Sequence, residues 1–296
     1  MGTDSEALTP VVAGRRRVFC CHCATLSGEH QPNSLAAVQE CVAAGAPRLE
    51  IDVRFLADDS MLIFHDRRFE ASSTGLGLVE DATQQSARSA IYKDKAGTSI
   101  CFLDDVVEAM KCGTTMLQVD LKGMRPISPS RVQLLEDALR PLGNRVIIGS
   151  QAHWNLRPFR ELPVAFDTTM HWRFEVEQPT VPRTLGVHGL WDDSPLASNT
   201  QVPVAEYIEQ RIRDLRGILP NAVEWMVDYG TIFKLAELGV SLGERLGADG
   251  CALVAWTVHG TEPDLGGMLW RLFTLGVETV ITDVPQRLAA LTPSVL

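Results

Sequence analysis

Arg48-Leu49-Glu50-Ile51-Asp52-Val53-Arg54-Phe55 places two carboxylates inside an apolar run. A β-strand turns successive side chains to opposite faces. Ile51 and Val53 therefore share one face, and Glu50 and Asp52 share the other. The pattern returns in Met116-Leu117-Gln118-Val119-Asp120-Leu121-Lys122, where Val119 and Leu121 oppose Gln118, Asp120 and Lys122. In a barrel of parallel strands the apolar set packs against helices. The charged set points inward near the C-terminal mouth, where barrel active sites lie.

Short apolar runs alternate with helical patterns on both sides of these two segments. Strands are expected at residues 18–21, 48–55, 61–64, 115–121, 145–149, 162–166, 223–227, 252–258 and 279–281. Helices are expected at 34–44, 103–111, 130–139, 234–246 and 265–275. Strand–helix repetition implies parallel strands joined by crossover helices. About eight such units favour an α/β fold closed as a (β/α)8 TIM barrel over an open, doubly wound sheet. The open sheet would be supported by a glycine-rich loop after its first strand, and none is present. Residues 1–16 read as a disordered tail and 17–296 as one domain. Residues 67–98 are polar without strong periodicity, and 168–203, with several prolines and tryptophans, resist assignment.

The chain has 296 residues, 45% of them hydrophobic, enough to bury a sizeable core. Its formal net charge of −10 argues against a nucleic-acid partner, because no excess of cations exists to neutralise phosphates. A small phosphate ester in a locally positive pocket is compatible with that charge. The seven cysteines include no pair with zinc-ribbon spacing. Cys21-His22-Cys23 lacks the second pair that would complete a structural zinc site. Reduced thiols in a cytoplasmic protein are the expectation. Residues 1–17 hold no apolar signal core, and no run approaches the ~18 apolar residues of a membrane span, so neither secretion nor stable membrane insertion is expected.

Buried carboxylates without partners cost several kcal/mol each, roughly the effective penalty per ion. Three that converge also repel one another, and a bound cation is the simplest remedy. Glu50, Asp52 and Asp120 offer only oxygen, so a hard divalent ion such as Mg²⁺ or Ca²⁺ is expected. The competing reading pairs these carboxylates with Lys122 or Arg54. His22 follows the first strand and His65 follows the strand at 61–64. Paired imidazoles at strand ends near a cation suit general acid–base work. His30, His153, His171 and His188 read as capping or core residues.

These residues resemble the glycerophosphodiester phosphodiesterases. His22-Cys23-Ala24 lies where that family has His-Arg-Gly, and Pro32-Asn33-Ser34 where it has Glu-Asn-Thr. Glu50-Ile51-Asp52-Val53 and His65-Asp66 resemble its Glu-x-Asp-Val and His-Asp pair, and Asp120-Leu121-Lys122 its Glu-x-Lys. Trp256-Thr257-Val258 and Thr282-Asp283-Val284-Pro285 resemble its last two strand signatures. The resemblance implies a phosphodiesterase barrel with a divalent ion and a small insertion at about residues 67–98. It implies that His22 and His65 are the catalytic pair and that Glu50, Asp52 and Asp120 bind the metal. Lys122 would hold a phosphate oxygen and stabilise transition-state charge. Trp256 would wall the substrate pocket or pack within the barrel.

The chain departs from the family at Cys23, Ala24, Pro32 and Asp120. A thiol cannot grip phosphate with two hydrogen bonds as an arginine does. Arg54, Arg67 and Arg68 are candidates to replace the lost cation, with Arg54 assigned to substrate binding. The Asp-x-Lys form also resembles the sphingomyelinase D branch of the superfamily, which expels an alcohol by internal attack. Three functions therefore stand open. The first is metal-dependent hydrolysis of a glycerophosphodiester-like substrate. The second is a lyase or cyclising phosphotransfer on a lipid or prenyl phosphate ester, with Trp154, Trp172 and Trp191 lining a larger apolar pocket. The third is an inactive binding protein on the same barrel.

Overall fold

A computed structural model of the chain describes residues 4–94, 97–172 and 203–292. Eight parallel strands form its centre: β1 (Val18–Cys21), β2 (Arg48–Phe55), β3 (Met116–Leu121), β4 (Val146–Ser150), β5 (Val164–Asp167), β6 (Ala222–Asp228), β7 (Ala252–Val258) and β8 (Val277–Thr282). Each pairs with its sequence neighbour, and β8 and β2 both pair with β1, closing the barrel. Helices pack around the outside, as the α/β periodicity requires. Met61–Ile63 adds one antiparallel strand beside β2.

The two faces of β2 and β3 separate as the alternation demands. Leu49, Ile51, Val53, Leu117, Val119 and Leu121 are buried in the outer core beneath the helices. The inward residues stack in layers. Arg48 lies at the N-terminal end and donates to both carboxylate oxygens of Glu224, at 2.8 and 2.7 Å. It also donates to the Gln118 side-chain carbonyl, at 3.1 and 2.7 Å. Above this comes an apolar layer of Cys20, Ile147, Ala165, Met226, Val254 and Ile281. Gly149 makes room for Met226, since a Cβ there would lie 2.7 Å from the Met226 methyl carbon. The third layer, at the mouth, is charged. In the β2–β3 register Glu50 sits opposite Gln118 and Asp52 opposite Asp120, which brings their side chains to one height.

The structure corrects the expected disordered tail. Asp4–Ala7 is a helical turn, and Val11–Val12 pairs antiparallel with Arg15–Arg16. Ala13 and Gly14 both have positive φ, 49° and 74°, the conformation a two-residue hairpin turn needs. Leu8 is buried in the core, and its carbonyl accepts from the Phe19 amide at 3.0 Å. The segment is too short to show periodicity, so its anchoring through two apolar side chains left no pattern to read. The helix expected at 234–246 is two helices, Tyr229–Glu237 and Leu242–Ala248, because Gly239 turns the chain with φ 84°. Two longer helices went unread, Val204–Ile218 and Pro285–Leu291, as did the four-residue helices Gln84–Ala87 and His153–Leu156. The first buries Ile208, Ile212 and Leu215, a helical spacing present in the sequence. Residues 67–98 follow the strand at Met61–Ile63; those described carry a small apolar cluster that includes Phe69, Val79, Ala87 and Tyr92. Trp191 and His188 lie outside the described residues.

The Arg48–Glu224 pair predicts a stability effect. Removing one partner leaves a buried charge uncompensated, so Glu224→Ala is expected to lower unfolding free energy by about 3 kcal/mol in urea titrations. Replacing both residues with methionine should recover most of that loss. An unchanged midpoint for Glu224→Ala would show that the pair carries no net stabilisation.

Candidate active site

The loop after β1 is shaped by its contacts with β2. Cys23 and Ala24 adopt left-handed backbone, φ 48° and 57°, at a cost of about 1–3 kcal/mol each for residues with a Cβ. That turn aims the Cys23 amide at Glu50 Oε2, 2.8 Å away. Asn33 also has positive φ, and its amide donates to the Cys23 carbonyl at 2.7 Å. Its side chain donates to Asp52 Oδ2 at 2.6 Å and accepts from the Asp52 amide at 3.1 Å. Ser34 then caps the helix Leu35–Ala43, accepting from the Ala37 amide. A polar turn and a capped helix thus lock the first loop onto the carboxylate strand.

The structure brings Glu50, Asp52 and Asp120 together, with one carboxylate oxygen of each within 4.8 Å of the others. Lys122 reaches between two of them, its Nζ 2.9 Å from Asp52 Oδ1 and 2.7 Å from Asp120 Oδ2. Burial opposes the charge on Asp52, but Lys122, with His65 and His22, holds it well below the usual carboxylate range. Burial likewise opposes the Lys122 ammonium, and Asp120, Asp52 and Glu50 outweigh that and raise its pKa well above the ordinary value. Glu50 is left over. Burial and then the Asp52 charge push its carboxyl up to about 8, against the pull of His22. Three carboxylates set against one ammonium, with three oxygen donors on hand, fit a hard divalent cation.

Two imidazoles share one carboxylate on the other side. His22 Nδ1 lies 2.7 Å from Asp283 Oδ1, and His259 Nδ1 lies 2.5 Å from Asp283 Oδ2. Burial works against the His22 cation, but the Asp283 hydrogen bond and the charges of Glu50, Asp283 and Asp52 raise its pKa to about 9. The same carboxylate raises His259, chiefly through the hydrogen bond. Asp283 is itself held far below its usual value, because the two hydrogen bonds and imidazolium charges override its burial. His22 Nε2 faces the cluster, 3.9 Å from Glu50 Oε2. His65 is mostly exposed, and its Nδ1 is 3.2 Å from Asp66 Oδ1. Ser72 in turn donates to Asp66 Oδ2 at 2.7 Å.

A cavity of about 600 Å³ opens over these groups. His22, Glu50, His65, Asp120, Lys122 and Trp256 line it, while Asp52 is wholly buried behind Lys122. Trp256 lines the cavity and also packs on the apolar barrel layer. Arg54 is a correction. It does not line the cavity, and its guanidinium instead donates to the His65 carbonyl at 3.1 and 2.6 Å. Arg54 therefore positions His65. Arg67 pairs with Glu80 and Arg68 with Glu70, and neither lines the cavity. Trp154 donates to the Met124 carbonyl and Trp172 is buried, so neither forms a larger apolar pocket. The cavity also takes in Gln151, Asp167, Asp228, Tyr229, His259 and Glu262, which sequence reasoning missed. Asp167, Asp228 and His259 stand at or just past the ends of apolar strands, the same signal that singled out His22 and His65. Burial pushes the Asp167 carboxyl up to about 7.

Residues 25–287 match the glycerophosphoryl diester phosphodiesterase family. The chain belongs to that family. A glycerophosphodiester phosphodiesterase of Bacillus altitudinis is 23% identical over 268 residues, covering 88% of this chain and 92% of the relative. Among solved structures, a phosphodiesterase of Oleispira antarctica in complex with the product sn-glycerol-3-phosphate superposes with a TM-score of 0.63 and 15% identity. That superposition covers 93% of this chain and 96% of the other. A glycerophosphodiester phosphodiesterase of Agrobacterium tumefaciens gives 0.61 and 16%, covering 92% and 98%. These likenesses establish the TIM-barrel fold. Among the described residues, no helix is long and apolar enough to cross a membrane, and all seven cysteines are free.

The shared carboxylate yields a titration test on the metal-free protein. Asp283→Asn should bring His22 down from about 9 toward the ordinary ~6.5, and should lower His259 with it, as read from histidine ring-proton NMR shifts. Because the folded pKa of His22 lies above its unfolded value, its stabilisation is complete below about pH 6.5 and fades as pH rises through about 9. Unmoved histidine titrations in the variant would remove Asp283 as the cause.

Proposed function

We propose that the chain hydrolyses a glycerophosphodiester-like substrate to an alcohol and a phosphomonoester, using a divalent cation held by Glu50, Asp52 and Asp120. The observation that carries this reading is the placement of two imidazoles, His22 and His65, beside a buried carboxylate cluster on the wall of one cavity. Family membership supports the reaction class, and the glycerol phosphate bound by the Oleispira neighbour supports the substrate class. Three oxygen donors favour Mg²⁺ or Ca²⁺. When bound, such an ion supplies Lewis acidity to a phosphoryl oxygen.

The chain's own residues account for the proton movements. Asp283 fixes His22 through Nδ1, leaving Nε2 toward the reacting centre. Arg54 and the Asp66–Ser72 pair hold His65 on the cavity wall. One imidazole takes the proton of the attacking group, and the other delivers a proton to the departing alkoxide. Lys122 lies on the cavity wall between two carboxylates, where its ammonium meets a phosphate oxygen and stabilises the charge that develops on it. Trp256 supplies an apolar wall for the alcohol or glycerol portion.

Release of glycerol 3-phosphate from glycerophosphodiesters is expected with Mg²⁺ or Ca²⁺. His22→Ala and His65→Ala should each lower kcat by about 10²–10⁴-fold, the usual share of a general acid or base. Turnover that persists unchanged after thorough chelation would refute the metal requirement.

A further inference from the structure

The Cys23 thiol is turned into the site and not out of it. Cys23 Sγ lies 3.5 Å from His22 Nε2 and 3.4 Å from Asp52 Oδ2. His22 Nε2, Cys23 Sγ and a Glu50 oxygen all fall within 4.8 Å of one another, a cluster that overlaps the all-oxygen one only at Glu50. Zinc bonds of about 2.0–2.1 Å to nitrogen and about 2.3 Å to sulfur put two tetrahedral donors about 3.5 Å apart. The Nε2–Sγ separation has that value before any ion is bound. The orientation of the imidazole is right as well. Its Nδ1 faces Asp283, so the lone pair on Nε2 is directed at the cluster, the arrangement that carboxylates impose on zinc-binding histidines. The thiol is held in place, since the Cys23 amide is bound to Glu50 and its carbonyl to Asn33.

We propose that His22, Cys23 and Glu50 form a site for a thiophilic divalent ion, with Zn²⁺ the reference case. Sulfur does not suit Mg²⁺ or Ca²⁺, so this site and the oxygen site select different ions while sharing Glu50. On binding, the Cys23 thiol loses its proton to solvent and coordinates as thiolate. The fourth position stays open to water. The inference rests on the proposed function only for its consequence: Zn²⁺ on His22 Nε2 removes that nitrogen from proton transfer and inhibits hydrolysis, and excess Mg²⁺ relieves the inhibition by competing for Glu50.

Titration of the metal-free full-length chain with Co²⁺ tests the site without reference to activity. One equivalent should give a thiolate-to-cobalt charge-transfer band in the near ultraviolet with tetrahedral visible bands. Cys23→Ser should abolish the band, and Cys112→Ser, at the exposed thiol, should leave it intact. Asp283→Asn should weaken Zn²⁺ binding about tenfold or more, in competition with a chromophoric chelator. X-ray absorption of the unmodified zinc-loaded protein should show one sulfur among nitrogen and oxygen neighbours. An all-nitrogen-and-oxygen shell, or a charge-transfer band that survives Cys23→Ser, overturns the site. A sulfur-containing shell in a protein whose Mg²⁺-supported turnover ignores Zn²⁺ overturns the inhibition. Absence of any diester hydrolysis with the band intact overturns the proposed function and leaves the site standing.

Discussion

Three carboxylates at one barrel mouth share a single lysine. Lys122 spans Asp52 and Asp120, and its charge keeps Asp52 ionised at a wholly buried position. Glu50 is answered by the Cys23 amide and, at longer range, by His22 and the field of Lys122. Burial of an unbalanced carboxylate is costly, and that cost persists only where structure on all sides enforces it. The enforcing parts are visible. Asn33 clamps Asp52, the strained turn at Cys23 and Ala24 presents an amide to Glu50, and the β2–β3 register sets Asp120 beside Asp52. The loops, the strain and the register all serve one arrangement of charge.

The same alternation that encodes the barrel encodes the site. One face of β2 and β3 builds the outer core, and the other runs from Arg48 at the base to Asp52 near the mouth. The inward face needs a dry layer to separate its two polar ends. Cys20, Ile147, Ala165, Met226, Val254 and Ile281 provide it. The Arg48–Glu224 pair thereby stays apart from the carboxylates at the mouth.

The sequence disclosed the parts governed by this period and little beyond it. Glu50, Asp52, Asp120 and Lys122 were legible because charge repeated at every second position inside apolar runs, on two strands that proved adjacent. Asp167, Asp228 and His259 were harder, because each adds one polar residue at a strand's end, where a cap or turn residue is equally at home. The role of Arg54 was misread for a geometric reason. Alternation gives the face of a strand but not the reach of a long side chain, and the guanidinium turns back to the His65 carbonyl. The N-terminal hairpin lay below the length at which any periodicity shows.

The charges that line the cavity limit how it can hold a phosphate. Glu50, Asp120, Asp167, Asp228 and Glu262 all line it, against Lys122 and the imidazoles of His22, His65 and His259. Lys122 already answers two carboxylates, so little of its field is left for a substrate anion. His22 and His259 divide one counter-ion between them, which leaves net positive charge near Asp283 when both are protonated. In the proposed reaction, Lys122 still meets a phosphate oxygen, but most of the attraction for a phosphodiester comes from those imidazoles and from the divalent ion together. The metal is then needed twice, to offset Glu50 and to make the cavity hospitable to an anion, and binding of substrate and of metal become thermodynamically linked.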